Sequence, residues 1–237
     1  MSIILPKTFE DRNSKRPECK GKPKLSYSQY TSYKDPEYQN QYYIQYFSGI
    51  ELPSGEFAAF GSACGNFIED TANGVTPVVD LLSGDDIKTL LELDYPENCV
   101  YEDEIIVDLG EFCLEGYTDR TWYKENNEVE IRDYKTLNLD KKKDFYASDD
   151  YGQTALYSHQ KEKEGYIVTK SEVCGLGRKG SSLSGTGNFK MRLSGQVEII
   201  PTPYTKERGD KIVEDITKVV NQISDEYKIF LKYFKNN

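Results

Sequence analysis

The segment 116–136, Gly-Tyr-Thr-Asp-Arg-Thr-Trp-Tyr-Lys-Glu-Asn-Asn-Glu-Val-Glu-Ile-Arg-Asp-Tyr-Lys-Thr, constrains the fold more than any other part of the chain. Two runs rich in β-favouring residues, 117–123 and 129–134, flank Lys124-Glu125-Asn126-Asn127-Glu128, whose asparagines suit a short hairpin loop. A three-residue loop at 125–127 then fixes the register: Tyr123 opposes Val129, Thr121 opposes Ile131, and Asp119 opposes Asp133. Side chains alternate along a strand, so Tyr117, Asp119, Thr121 and Tyr123 share a face with Val129, Ile131, Asp133 and Lys135. That face is read as the buried one. Its opposite, with Arg120, Trp122, Lys124, Glu128, Glu130 and Arg132, is expected to be solvated.

Like charges directly opposed destabilise a sheet, and a buried carboxylate is costly unless paired. Something cationic should therefore lie between Asp119 and Asp133. Lys135 is one candidate and a divalent ion the other; two carboxylates with no histidine nearby suit a hard, oxygen-liganded cation such as Mg²⁺ or Mn²⁺.

Gly-x-x-Asp at 116–119, Ile-Arg-Asp-Tyr-Lys-Thr at 131–136, and a helix with Gln153 and Tyr157 four apart together resemble the PD-(D/E)XK nuclease superfamily, in particular its RecB-like exonuclease branch. An isolated Asp-x-Lys carries almost no information; the three parts in order, with a hairpin between the first two, are more specific. Upstream, Leu25-Ser-Tyr-Ser-Gln-Tyr resembles the opening helix of that family, and Phe60-Gly-Ser-Ala-Cys-Gly-Asn-Phe-Ile-Glu69 its glycine-containing first motif. RecB-like members carry a histidine where this chain has Gly65. Glu69, one helical turn later, is the nearest replacement, and related phage exonucleases carry a glutamate in this motif.

The resemblance implies a restriction-endonuclease-like core and metal-dependent hydrolysis of phosphodiester bonds in DNA, single- or double-stranded. Asp119 and Asp133 would ligate Mg²⁺ or Mn²⁺, helped by the backbone carbonyl of Tyr134 and by Glu69. Lys135 would orient or help deprotonate the attacking water, and Gln153 and Tyr157 would hold the substrate strand or brace the metal ligands. Recombination, repair or phage DNA processing would be the setting, with a recombination or repair protein as a further partner. Two other classes compete: a nuclease-fold module that binds DNA or protein without cutting, and an acidic DNA mimic. Cys19, Cys64, Cys99, Cys113 and Cys174 are scattered, with no Cys-x-x-Cys, so neither an iron–sulfur cluster nor a zinc site is expected.

Charge bears on the DNA reading. Of the 237 residues, those from 51 to 119 hold 17 acidic side chains against Lys88, leaving the remainder net basic within a total of −10. Basic strips fall at 7–24, at Lys141-Lys142-Lys143, around Arg178, Lys179, Lys190 and Arg192, and in the last helix. An acidic body with local basic strips still tracks a phosphate backbone. No apolar run approaches the length of a membrane span, and residues 1–6 are too short for a signal-peptide core. An odd count of five scattered cysteines argues against a disulfide scaffold and fits a reducing compartment, so a cytoplasmic protein with no membrane partner is expected. His159, the single histidine, is expected to be solvated, and rules out a multi-histidine metal site.

The remaining pattern predicts an α/β (α+β) protein with a mixed central β-sheet flanked by helices. Residues 1–24 read as a basic, partly disordered arm and 25–237 as one domain. Helices are expected from Ser26 to the Asp35-Pro36 break, from there to about Phe47, over 62–70, over 76–93 with an interruption at Ser83-Gly84, over 149–163, and over 205–234. Strands are expected at 105–109, from 111 into the hairpin, at 166–173 and at 189–201. The tyrosines of 38–46 are read as packing or as base-stacking platforms, and the glycine-rich 175–188 as a flexible loop.

Overall fold

The computed structural model describes residues 2–6, 22–180 and 191–234. Among them the elements in chain order are β1 (Lys24–Leu25), α1 (Tyr27–Lys34), α2 (Gln39–Tyr42) continuing as a π-helical turn (Tyr43–Phe47), α3 (Glu56–Ala72), α4 (Gly84–Leu91), β2 (Cys99–Asp108), β3 (Cys113–Tyr123), β4 (Glu128–Leu137), α5 (Leu139–Ala147), α6 (Gln153–Lys163), β5 (Ile167–Lys179), β6 (Arg192–Pro201) and α7 (Lys206–Phe234). The strands form a six-stranded mixed sheet in the order β1-β3-β4-β5-β6, with β2 also paired to β3. The α+β class expected from the pattern is the observed one. By internal contacts the chain divides into two compact units, Met1–Pro53 with Glu104–Gly116 and Asp210–Asn237, and Ser54–Asp103 with Tyr117–Gly209.

The first unit is held by aromatic packing and tethered ends. Ser26 caps α1 through a capping box with Gln29, which satisfies two orphan amides of its first turn. Tyr33, Tyr42, Tyr43 and Phe47 meet edge to face, and Phe47 continues onto Tyr227 and Phe230 of α7. Packing is thus the role of Tyr42, which is fully buried, whereas Tyr38 is exposed. The spacing of Ile212, Ile216, Val219, Val220, Ile223, Tyr227, Phe230 and Leu231 predicts an apolar stripe on α7, of which Ile216, Val219, Val220, Ile223 and Tyr227 are buried and Ile212, Phe230 and Leu231 half-buried. The described parts of the 1–24 arm are anchored: Leu5 is buried, the Ile4 amide donates to Ser224 at 3.0 Å, and Lys22 pairs with Asp108 at 2.6 Å. Residues 7–21, which hold the rest of the expected disordered arm, lie outside the described residues.

The second unit carries the hairpin. Observed pairs are Tyr123–Val129, Trp122–Glu130, Thr121–Ile131 and Arg120–Arg132, the register expected from the three-residue loop. Asn126 and Asn127 both take left-handed φ of 58°, a conformation asparagine tolerates better than other non-glycine residues. β4 then pairs in parallel with β5, and β5 antiparallel with β6. Phe60, Cys64, Phe67 and Ile68 of α3, with Leu90 of α4, pack on Tyr134, Cys174 and Leu176. Asp133 and Val173 point to the other face, where Tyr151 and Ile200 pack and α6 lies on β4 and β5.

Several expectations are corrected. Residues 76–82 form no helix: the Ser83 side chain caps α4 in a capping box with Asp86, so the helix starts there. α3 begins at Glu56 rather than 62. Gly175 and Gly177 belong to β5, not to a flexible loop, and their lack of a side chain serves close packing. A Cβ on Gly177 would come within 2.4 Å of Ser194 Oγ and 3.0 Å of the Gln196 carbonyl. The remainder of that expected loop, 181–188, lies outside the described residues. His159 is buried, not solvated: its Nδ1 lies 3.4 Å from the Tyr204 hydroxyl, and α7 approaches it so closely that a Cβ on Gly209 would stand 2.6 Å away.

Candidate active site

Past the Arg120–Arg132 pair, the side chain of Asp119 takes over a main-chain role: its Oδ2 accepts the Tyr134 N–H. The carboxylate is thereby locked against β4, next to Asp133. Lys135, two residues on and so on the same face as Asp133, places its Nζ 2.9 and 2.8 Å from the two Asp133 oxygens. The sequence left open whether lysine or a divalent ion stands by the aspartates; lysine occupies one side of the pair. Beyond these groups opens a pocket of about 260 Å³ lined by Gly61, Ser62, Gly65, Asn66 and Glu69 of α3, Tyr101 and Glu102 of β2, and Asp119, Tyr134 and Lys135.

Glu69 thus shares a pocket with Asp119 and Lys135. Tyr134 contributes to the pocket wall while its ring packs into the core. At Gly65 a Cβ would meet nothing within 4 Å, so the pocket has room where RecB-like members place a histidine. Gln153 and Tyr157 are also drawn in, but indirectly. Gln153 Nε2 lies 3.2 Å from the Tyr157 hydroxyl, and contact with Asp133 is made by Tyr151, whose hydroxyl donates to Oδ2 at 2.9 Å.

The electrostatics are one-sided. Burial, and then the neighbouring Asp133 carboxylate, push the Asp119 carboxyl up from the usual range to about 7, against the opposing pull of Lys135 and the Tyr134 amide. Glu102 is raised too, by burial and then by Glu69 and Asp133. Burial alone would lower Lys135, but Asp133 and Asp119 outweigh it and hold the ammonium well above its usual value. Among the described residues that line the pocket, Lys135 is the one cation beside Asp119, Glu69 and Glu102, and it is already paired with Asp133.

An all-oxygen donor set with surplus negative charge fits a hard divalent cation, which would relieve the repulsion that raises Asp119. Among the described residues no three His, Cys, Asp or Glu side chains close into a metal-holding group. The fit rests on the donor chemistry and the charge surplus.

The opposite face of the hairpin is not solvated, contrary to expectation. Arg120 and Arg132 are buried and grip Asp94 from two sides, Arg120 at 3.0 Å, and Arg132 also binds Glu172 at 2.6 Å. Lys170 reaches the second Glu172 oxygen at 2.7 Å. Only towards the loop do Trp122, Lys124 and Glu130 become partly exposed, with Lys124 stacked over the Trp122 ring at 4.4 Å and paired with Glu130.

Tyr151, Glu102 and Asp94 were missed in the sequence. Tyr151 had a usable signal, an aromatic residue two positions before Gln153. Glu102 had none: it lies in a run of acidic residues and is singled out by its left-handed φ of 49°, a conformation rare for glutamate. No protein-family model matches the chain, and a search of curated proteins finds no match.

Proposed function

We propose that the chain is a divalent-cation-dependent nuclease that hydrolyses phosphodiester bonds in DNA, with Asp119, Asp133 and Lys135 as its catalytic residues. The observation that carries this reading is the surplus of carboxylate at a pocket beside one hydrogen-bonded lysine, a costly arrangement that a packed core alone would not maintain. Asp119 and Asp133, with Glu69 and the Tyr134 carbonyl, would hold Mg²⁺ or Mn²⁺. Such a cation supplies charge neutralisation at the scissile phosphate and acidifies a water.

The chain's own groups do the rest. The Lys135 ammonium, bonded to Asp133 at the pocket wall, would orient the water, help deprotonate it or offset charge building on the phosphate. Asp133 fixes that ammonium through both oxygens, and Asp119 is fixed in turn by the Tyr134 amide. For the polyanion, Arg178 extends from the same unit with its guanidinium 4.0 Å above the Phe57 ring, and Lys141, Lys142 and Lys179 are exposed.

The test is cleavage of labelled linear and circular DNA, single- and double-stranded, with Mg²⁺, Mn²⁺ or EDTA. The expected result is cation-dependent cutting that falls at least a hundredfold in Lys135→Ala; restriction to linear substrates would make it an exonuclease. Folded wild-type protein that cuts nothing under any condition would leave a non-cutting binding module or an acidic DNA mimic as the function.

A further inference from the structure

We propose that Gln153 and Tyr157 act on this site through Tyr151, as a directional hydrogen-bond chain that positions Asp133, and do not touch the substrate. The inference rests on the cation-binding reading of Asp133 and adds a residue, Tyr151, to it.

The distances place four groups in a row: Asp133 Oδ2 and the Tyr151 hydroxyl at 2.9 Å, that hydroxyl and Gln153 Oε1 at 3.1 Å, and Gln153 Nε2 and the Tyr157 hydroxyl at 3.2 Å. A phenol carries one proton and cannot donate to both Asp133 and Gln153. The conflict disappears if the Gln153 amide is turned by half a rotation, since its oxygen and nitrogen are near-equivalent in shape. Tyr157 then donates to Oε1, Nε2 donates to the Tyr151 oxygen, and Tyr151 donates to Asp133. Every proton along the row has an acceptor and every link points towards the carboxylate. Tyr151 is 5% and Tyr157 2% exposed, so both phenols are shielded from competing water, with Gln153 half-buried between them.

Tyr151 is itself held firmly. Its carbonyl accepts from Arg208 Nη2 at 2.9 Å, the same nitrogen that donates to the Ser148 carbonyl at 2.8 Å. Its ring packs edge to face on Tyr146 at 4.9 Å and against Val173 and Ile200. With Lys135 bonded to both oxygens and Tyr151 to Oδ2, Asp133 is held in one orientation. Groups that orient a ligand in this way typically change metal affinity by about 10- to 100-fold when removed.

The test is Mn²⁺ binding to the full chain, read from the electron paramagnetic resonance of free Mn²⁺, together with kcat and KM for a labelled oligonucleotide at saturating Mn²⁺. Tyr151→Phe should weaken Mn²⁺ binding roughly tenfold or more with the circular dichroism spectrum unchanged. Gln153→Ala should weaken it less, should add nothing in the Tyr151→Phe background, and should leave KM for the oligonucleotide unchanged. Equal Mn²⁺ affinity in wild type and Tyr151→Phe would overturn the chain while leaving the cation reading intact. Additive effects, with Gln153→Ala raising KM, would overturn it in favour of direct substrate contact. Wild-type protein that takes up no Mn²⁺ would overturn both.

Discussion

The two faces of one hairpin bury charge in opposite ways. On one face Arg120 and Arg132 meet Asp94 and Glu172, so each buried cation has a carboxylate and the set is close to neutral. On the other, Asp119 and Asp133 share Lys135, with Glu69 and Glu102 around the adjoining pocket. The same two strands supply Arg120 and Arg132 to one face and Asp119, Asp133 and Lys135 to the other. A balanced buried network is explained by folding alone, because its pairs offset the cost of leaving water. The unbalanced set is not, and this difference is the ground on which we propose that face for the chemistry.

The largest way to break the comparison is to remove a partner from each face. Arg132→Met leaves Glu172, 2% exposed, with Lys170 as its remaining partner and should lower the free energy of unfolding by about 3–5 kcal/mol in urea denaturation. Asp119→Asn on the other face should leave stability unchanged or raise it, because it removes repulsion, while abolishing cutting. Equal destabilisation by both would mean that the faces are alike.

The faces should also differ in pH dependence. The folded Asp119 carboxyl sits near 7, above its unfolded value near 3.8, so the cation-free protein binds more protons folded than unfolded between those limits. Its stability should fall as pH rises through that window, and Asp119→Asn should flatten the decline. Burial would raise Asp94, but hydrogen bonds from Arg132 and Arg120 outweigh it and hold the carboxyl below 3.8. Its contribution should be complete above about pH 5 and lost as pH falls below 4, and Asp94→Asn should flatten that acid limb. Thermal unfolding from pH 2 to 8 reads both slopes.

The smallest effect should come from Lys170, which is 48% exposed and only rims the balanced network. Lys170→Ala should cost less than about 1 kcal/mol in the same denaturation series.

What could be read from the sequence follows the range of the forces involved. The hairpin register was legible because two asparagines set the turn and the alternation did the rest, all within twenty-one residues. The fold class followed from the periodicities, and the stripe of α7 from its 3.6-residue repeat. The solvated reading of Arg120 and Arg132 failed because their partners, Asp94 and Glu172, come from distant segments and announce nothing locally. His159 failed similarly, buried by the approach of Gly209 some fifty residues later. Glycines at 175 and 177 were mistaken for flexibility, since a close approach and a loose loop use the same residue. Asp119, Asp133, Lys135 and Glu69 were singled out by pattern as candidates; Tyr151 and Glu102 come beside them only through the tertiary fold.

The most direct measurement is the thermal midpoint of wild type and Asp119→Asn at pH 8 as Mg²⁺ or Mn²⁺ is titrated at constant ionic strength. Unbalanced carboxylates built to receive a cation predict a wild-type midpoint that climbs with cation, by the equivalent of about 2.7 kcal/mol at a hundred times the dissociation constant. Asp119→Asn should start as high or higher and respond little. A wild-type midpoint that ignores both cations, or two proteins that respond alike, would contradict the account.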